Sequence, residues 1–157
     1  EADPFLAQVC MDNANLENTV NRAEVVVAAV DYSGSDEITF ASGQNAHVGH
    51  IAREGELGFQ VSTTTLAEQV SKLPEKNYAL VCDIEGAELD LFENEKEALS
   101  LAHLLVLETH PRIYPKQGQD LEHLLADIKN LGLIEIEKSG SVICFASKTA
   151  MSNLNPN

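Results

Sequence analysis

The chain has 157 residues, 44% of them apolar, which suits one domain with a buried core and argues against disorder. Its 25 acidic residues against 10 basic ones give a formal charge of −15, spread along the chain; such a surface repels phosphate backbones and excludes nucleic acid as an expected partner. No run reaches the about 20 apolar residues of a membrane span, and three scattered cysteines without a CxxC pair read as buried, reduced thiols of a cytoplasmic protein, not as a disulfide framework or a zinc knuckle.

Asp3-Pro4 reads as a helix start, an Asp cap followed by Pro at the first helical position. Leu6, Val9 and Cys10 mark one face of this short helix, which frays near Asn13. Val25-Val26-Val27-Ala28-Ala29-Val30 is a continuous apolar run of strand length and β-branched content, read as a buried strand. Ser33-Gly34 makes a turn. Glu37-Ile38-Thr39-Phe40 and Phe59-Gln60-Val61-Ser62 alternate, as half-exposed strands do, and are joined by a loop containing glycine and histidine. Thr65-Leu66-Ala67-Glu68 has the capping-box pattern, and its helix ends before Pro74.

A second buried strand is predicted at 78–82, stopped by Asp83-Ile84-Glu85-Gly86, with a helical stretch from about 87 to 101 broken near Asn94. Leu104-Leu105-Val106-Leu107 is a third buried strand, closed by Glu108-Thr109-His110-Pro111. Leu121, Leu124, Leu125, Ile128 and Leu131 fall at helical spacing, with Gly132 as the stop. A hairpin follows, 133–137 and 142–146 around Ser139-Gly140. From Met151 the tail is polar and reads as loose. The alternation of strand and helix predicts a single α/β domain with a mostly parallel sheet, helices on both faces and a closing antiparallel hairpin. The runs at 25–30, 78–82 and 104–107 are expected as neighbouring or near-neighbouring parallel strands of that sheet.

Ligands of open parallel sheets bind at the carboxyl ends of the strands. Three such ends are acidic here: Glu1-Ala2-Asp3-Pro4, which would follow a strand upstream of Glu1; Asp83-Ile84-Glu85-Gly86-Ala87-Glu88; and Glu108-Thr109-His110-Pro111. Glu1 reads either as a loop acid or as the carboxylate that accepts two ribose hydroxyls. Asp83 either caps the next helix or faces the cleft and holds a cationic group or a proton; Glu85 either favours the helix's positive end or belongs to that site. Glu88, inside the helix, reads as a solvated or structural acid. His110 is either a surface histidine or a general base, since histidine titrates near working pH. His47 and His50, in H-V-G-H with no cysteine nearby, are not expected to bind metal. His103 and His123 read as structural.

Together these residues resemble the FkbM-type methyltransferase family over nearly the whole chain. The most specific part, Leu80-Val81-Cys82-Asp83-Ile84-Glu85-Gly86-Ala87-Glu88-Leu89, is similar to the family's K-I-D-V-E-G-A-E signature. Val61-Ser62-Thr63-Thr64-Thr65-Leu66 resembles its V-x-x-x-T-L element and Val106-Leu107-Glu108-Thr109-His110-Pro111 its I-V-E-x-H strand. Glu1-Ala2-Asp3-Pro4 with Leu6 and Asn13 resembles E-P-N-P…L…N, and Ala28-Ala29-Val30-Asp31 with Gly34 resembles A-V-S-D…G. Two departures stand out: Val81 replaces the family's lysine, and no glycine-rich strand-to-helix turn precedes Glu1.

The resemblance implies a Rossmann-like class I methyltransferase sheet whose first strand and glycine-rich turn lie upstream of Glu1. The 157 residues are then one incomplete domain, expected to be inactive by itself. It further implies S-adenosylmethionine as cofactor and a hydroxyl on a sugar or natural product as methyl acceptor. By the same resemblance Glu1 binds the cofactor ribose, Asp31 lies near the adenine, Asp83 faces the methionine end and the acceptor, and Glu85 supports that loop. Asp83 or His110 would remove the acceptor's proton. Two other classes stay open: a metal-dependent hydrolase using Asp83, Glu85, Glu108 and His110 as ligands, and a degenerate methyltransferase fold serving as a binding module. A glycine-rich turn upstream favours the first class, tight stoichiometric metal the second, and neither the third.

Overall fold

The computed structural model describes residues 1–16, 23–41, 49–52, 55–118 and 120–154. They form two compact units, Glu1–Thr65 and Leu66–Asn157. In the first unit, helix α1 (Pro4–Leu16) starts as its sequence predicts: Asp3 Oδ1 accepts the N–H groups of Phe5 at 2.8 Å and Leu6 at 3.4 Å. Its predicted core face is not the one buried. Ala7 is fully buried, whereas Val9 and Cys10 are exposed, because the helix approaches its neighbours through its smallest side chain.

Four strands form the first sheet in the order β1 (Ala29–Val30), β4 (Phe59–Thr64), β2 (Glu37–Ala41), β3 (His50–Ile51). β1 runs parallel to β4, and β2 antiparallel to it, with Phe40 opposite Phe59. The alternation read in these two segments is what places Ile38, Phe40, Phe59 and Val61 against Ala2 and Ala29. The two rings meet at 5.9 Å and a tilt of 52°, a favourable cross-strand aromatic pair.

In the second unit the sheet order is β5 (Tyr78–Cys82), β6 (Ala102–Glu108), β8 (Val142–Ser147), β7 (Leu133–Ser139). β5 and β6 are parallel; the β7–β8 hairpin joins β6 antiparallel, as expected. Helix α2 (Leu66–Lys72) receives help from afar: buried Glu95 accepts the Ala67 N–H at 3.0 Å. Glu95 also marks the predicted break, between α3 (Glu88–Asn94) and α4 (Lys96–Ser100). Helix α5 (Leu121–Asn130) is capped by Asp120, buries Leu124 and Ile128, and ends before Gly132 at φ +84°. Where the tail reads as loose from Met151, α6 (Lys148–Leu154) continues the chain as helix. Phe92, Leu99, Leu105, Leu107 and Ile143 are fully buried, each apolar side chain contributing about 1.5–3 kcal/mol relative to exposure.

Three expectations need correction. The run at 25–30 does not share a sheet with 78–82 and 104–107: only Ala29 and Val30 are strand, and they pair with Thr63 and Thr64. Nor is the sheet mostly parallel. Among the described residues only β1–β4 and β5–β6 are parallel pairs, and the remaining pairs are antiparallel. An apolar run signals burial but carries no information about which strand takes up its hydrogen bonds. Finally, among the described residues β5 lies at the edge of its sheet and its Val81 is 76% exposed, so it is buried on one face only. No helix among the described residues is long and apolar enough to cross a membrane.

Candidate functional site

The parallel register of β5 and β6 sets Cys82 opposite Leu107, so the chain leaves both strands at the same edge of the sheet. Loops 83–87 and 109–113 therefore lie side by side, as the carboxyl-end rule predicts. The first loop turns through two left-handed residues, Glu85 at φ +52° and Gly86 at φ +102°. A side chain is excluded at Gly86, where a Cβ would stand 2.8 Å from Ile113 Cγ2. The second loop is tied down at its start. Thr109 donates its N–H and its hydroxyl to the Ser141 carbonyl at 2.9 and 2.8 Å, and Ser141 donates its own hydroxyl to Glu108 at 3.2 Å.

His110 is the centre of the arrangement, its side chain 16% exposed. Nε2 lies 3.5 Å from Glu85 Oε2 and 3.7 Å from Asp83 Oδ1. Nδ1 lies 2.9 Å from Oε1 of Glu88, whose side chain is fully buried. The Gly86 N–H donates to the same Oε1 at 3.1 Å, and the buried Tyr114 hydroxyl donates to Oε2 at 3.2 Å. Both oxygens of this interior acid are thus engaged, which offsets the cost of taking it out of water. Of the two readings of Glu88, solvated or structural, the structure overturns the first and shows a buried, fully engaged acid. The signal that could have found it is its spacing: two residues past Gly86, at the first turn of α3, a side chain can reach back over the loop that precedes the helix.

The carboxylates crowd one another. Burial, and then the charges of Glu108 and Glu88, raise the Asp83 carboxyl above its ordinary range, with His110 acting in the opposite sense. The Tyr114 phenol is raised as well, chiefly by burial and further by Glu88, against the lowering effect of the His110 N–H it accepts. Beneath the loop, burial and then Glu88 and Asp83 push the Cys82 thiol up to about 12, which makes it inert. Asp83, Glu85 and His110 each present a ligand atom within 4.8 Å of the other two, a span that a cation can bridge.

The structure therefore brings Asp83, Glu85 and His110 together. Glu1 and Asp31 belong to the first unit. Glu1 Oε1 accepts the Asp3 N–H at 2.8 Å, and the Ala28 N–H donates to the Glu1 carbonyl at 3.2 Å, so Glu1 lies alongside the segment leading into β1. Asp31 follows β1 and accepts from the N–H and hydroxyl of Ser33. Of the other histidines, His47 lies outside the described residues. His50 Nε2 is 3.1 Å from Glu56, and His123 is 3.8 Å from Asp127 one helical turn on.

Compared with known protein families, residues 1–133 match the model of the methyltransferase FkbM domain. No curated protein and no solved structure matches the chain significantly.

Proposed function

Because the chain belongs to the FkbM methyltransferase family, matched over residues 1–133 of 157, we propose that it transfers a methyl group from S-adenosylmethionine to a hydroxyl oxygen of a sugar or natural product. The observation that carries this reading is the convergence of Asp83, Glu85 and His110 where β5 and β6 end, in a chain of that family.

The donor set suits the cofactor. S-adenosylmethionine supplies a methyl already activated on a sulfonium, together with an ammonium and a ribose diol. Asp83, half-exposed, its carboxyl raised by burial and then by Glu108 and Glu88, sits beside negative charge that a cationic group relieves. Within the first unit, Glu1 lies beside the segment leading into β1 and Asp31 follows β1, carboxylates suited to ribose hydroxyls and to the adenine surroundings. Glu85, bent into its left-handed conformation, fixes the course of the 83–87 loop. The remaining task is to orient the acceptor and take its proton, and His110 Nε2 and the Asp83 carboxylate, 3.7 Å apart, are the groups suited to take it. A cytoplasmic setting accords with three free cysteines.

The test is a calorimetric titration with S-adenosylmethionine, followed by a radiolabelled methyl-transfer assay against a panel of glycosides and polyketides. Both are run on this chain and on the product of its complete reading frame. Cofactor binding with label appearing on oxygen is the expected result. Absence of binding by the product of the complete reading frame overturns the proposal. Activity lost to a chelator and restored by magnesium would reassign the Asp83–Glu85–His110 group to a metal.

A further inference from the structure

We infer that Glu88 is a positioning residue that makes Nε2 of His110 the proton acceptor of this site. The inference rests on the methyl-transfer reading above and adds to it the group that selects which ring nitrogen acts.

Glu88 Oε1 accepts the backbone N–H of Gly86, a group that can only donate. The same oxygen faces His110 Nδ1 at 2.9 Å. It meets the ring as an acceptor, so Nδ1 carries the hydrogen. In a neutral imidazole the lone pair is then on Nε2, the nitrogen turned toward Asp83 and Glu85. Tyr114 makes the choice rigid. Its hydroxyl donates to Glu88 Oε2 and accepts the backbone N–H of His110 at 2.8 Å, holding the carboxylate and the histidine backbone in one frame.

The acceptor's O–H bond would break with its proton passing to Nε2, its electron pair would form the new O–C bond to the methyl, and the methyl's bond to the sulfonium sulfur would break with its electrons left on a neutral thioether. The resulting imidazolium lies between Glu88 on one nitrogen and Asp83 and Glu85 on the other. Glu88 touches no reacting atom, since it is fully enclosed. It acts through the orientation and tautomer of His110, as carboxylates behind functional histidines do elsewhere.

The tautomer can be read directly by long-range proton–nitrogen correlation spectra of the 15N-labelled protein, with the His110 signals assigned through His110→Gln. The expected pattern is a ring protonated at Nδ1. A ring protonated at Nε2 overturns the inference, whatever the activity. In Glu88→Leu no acceptor faces Nδ1, so the Nδ1–H form should lose its dominance. kcat should fall roughly 10- to 100-fold while KM for S-adenosylmethionine stays within about twofold. Unchanged kcat and tautomer in that variant also overturn it, and if the variant does not fold, the wild-type spectrum still decides. Absence of any methyl transfer by the wild type would instead remove the reading beneath the inference, leaving the spectrum to show whether Glu88 sets the ring.

Discussion

The Tyr114 hydroxyl accepts the backbone N–H of His110, four residues earlier in the chain, at 2.8 Å, and the ring that carries it is fully buried. The same hydroxyl donates to Glu88, so one side chain ties the loop after β6 to the first turn of α3.

Tyr114→Phe keeps the ring and removes that tie, leaving the His110 N–H and Glu88 Oε2 short of a partner. Each buried group deprived of its partner costs about 1–3 kcal/mol. Urea denaturation should therefore show a loss of that order, with an unchanged m value. A variant as stable as the parent would mean that water replaces the hydroxyl.

Gly86→Ala should destabilise the protein for two separable reasons. The residue sits at φ +102°, and its new Cβ would meet Ile113 Cγ2 at 2.8 Å. Backbone strain alone costs on the order of 1–2 kcal/mol at such a position. Pairing it with Ile113→Ala in a double-mutant cycle should relieve the collision and leave the strain. Strict additivity of the two losses would show that the side chains never touch.

Asp83 gives a pH dependence whose sign is set by its raised carboxyl. The folded state holds the proton to higher pH than the unfolded chain does. Stability is thus lost as pH rises from the unfolded value near 4 through the folded one, and below both values the difference vanishes. Asp83→Asn should accordingly melt higher than the parent at about pH 7 and equally at about pH 3. Solvent at this half-exposed side chain keeps the gain small. A gain confined to acid pH would reverse the assignment.

Cys82 is buried and its thiol raised to about 12, whereas Cys10 is exposed. Iodoacetamide at neutral pH, followed by peptide mass spectrometry, should modify Cys10 in the native protein and reach Cys82 only after denaturation. Rapid native labelling at Cys82 would mean that the end of β5 opens readily.

For the proposed reaction, Asp83→Ala and His110→Ala should each lower kcat of methyl transfer, and His110→Ala by roughly 10²–10⁴-fold if it takes the proton. A chelator should leave the rate unchanged, because a sulfonium methyl needs no Lewis acid. An unaltered rate in His110→Ala across the pH range would reduce His110 to a loop residue.

Much of this was legible along the chain. The cap at Asp3, the break near Asn94, the stop at Gly132 and the closing hairpin are local events, governed by hydrogen bonds and torsions within a few residues. The placing of Asp83, Glu85 and His110 at strand ends was legible for the same reason: apolar runs stop where polar residues begin. Burial of 25–30 was overread, since Val27 is exposed and only two residues of the run form strand.

What the chain by itself determined, then, is where elements begin and end and which residues close them. The tertiary structure alone decided the partners: β1 beside β4 instead of β5, Glu95 on the N–H of Ala67, and Glu88 turned inward beneath His110. Local propensity acts over one turn or one strand, whereas these contacts join residues 22 to 34 positions apart. An acid at a helix start is equally at home in water. The Gly86 N–H is a local donor, and the approach of the loop after β6, bringing Tyr114 and the His110 ring over Glu88, supplies the others that let it be buried.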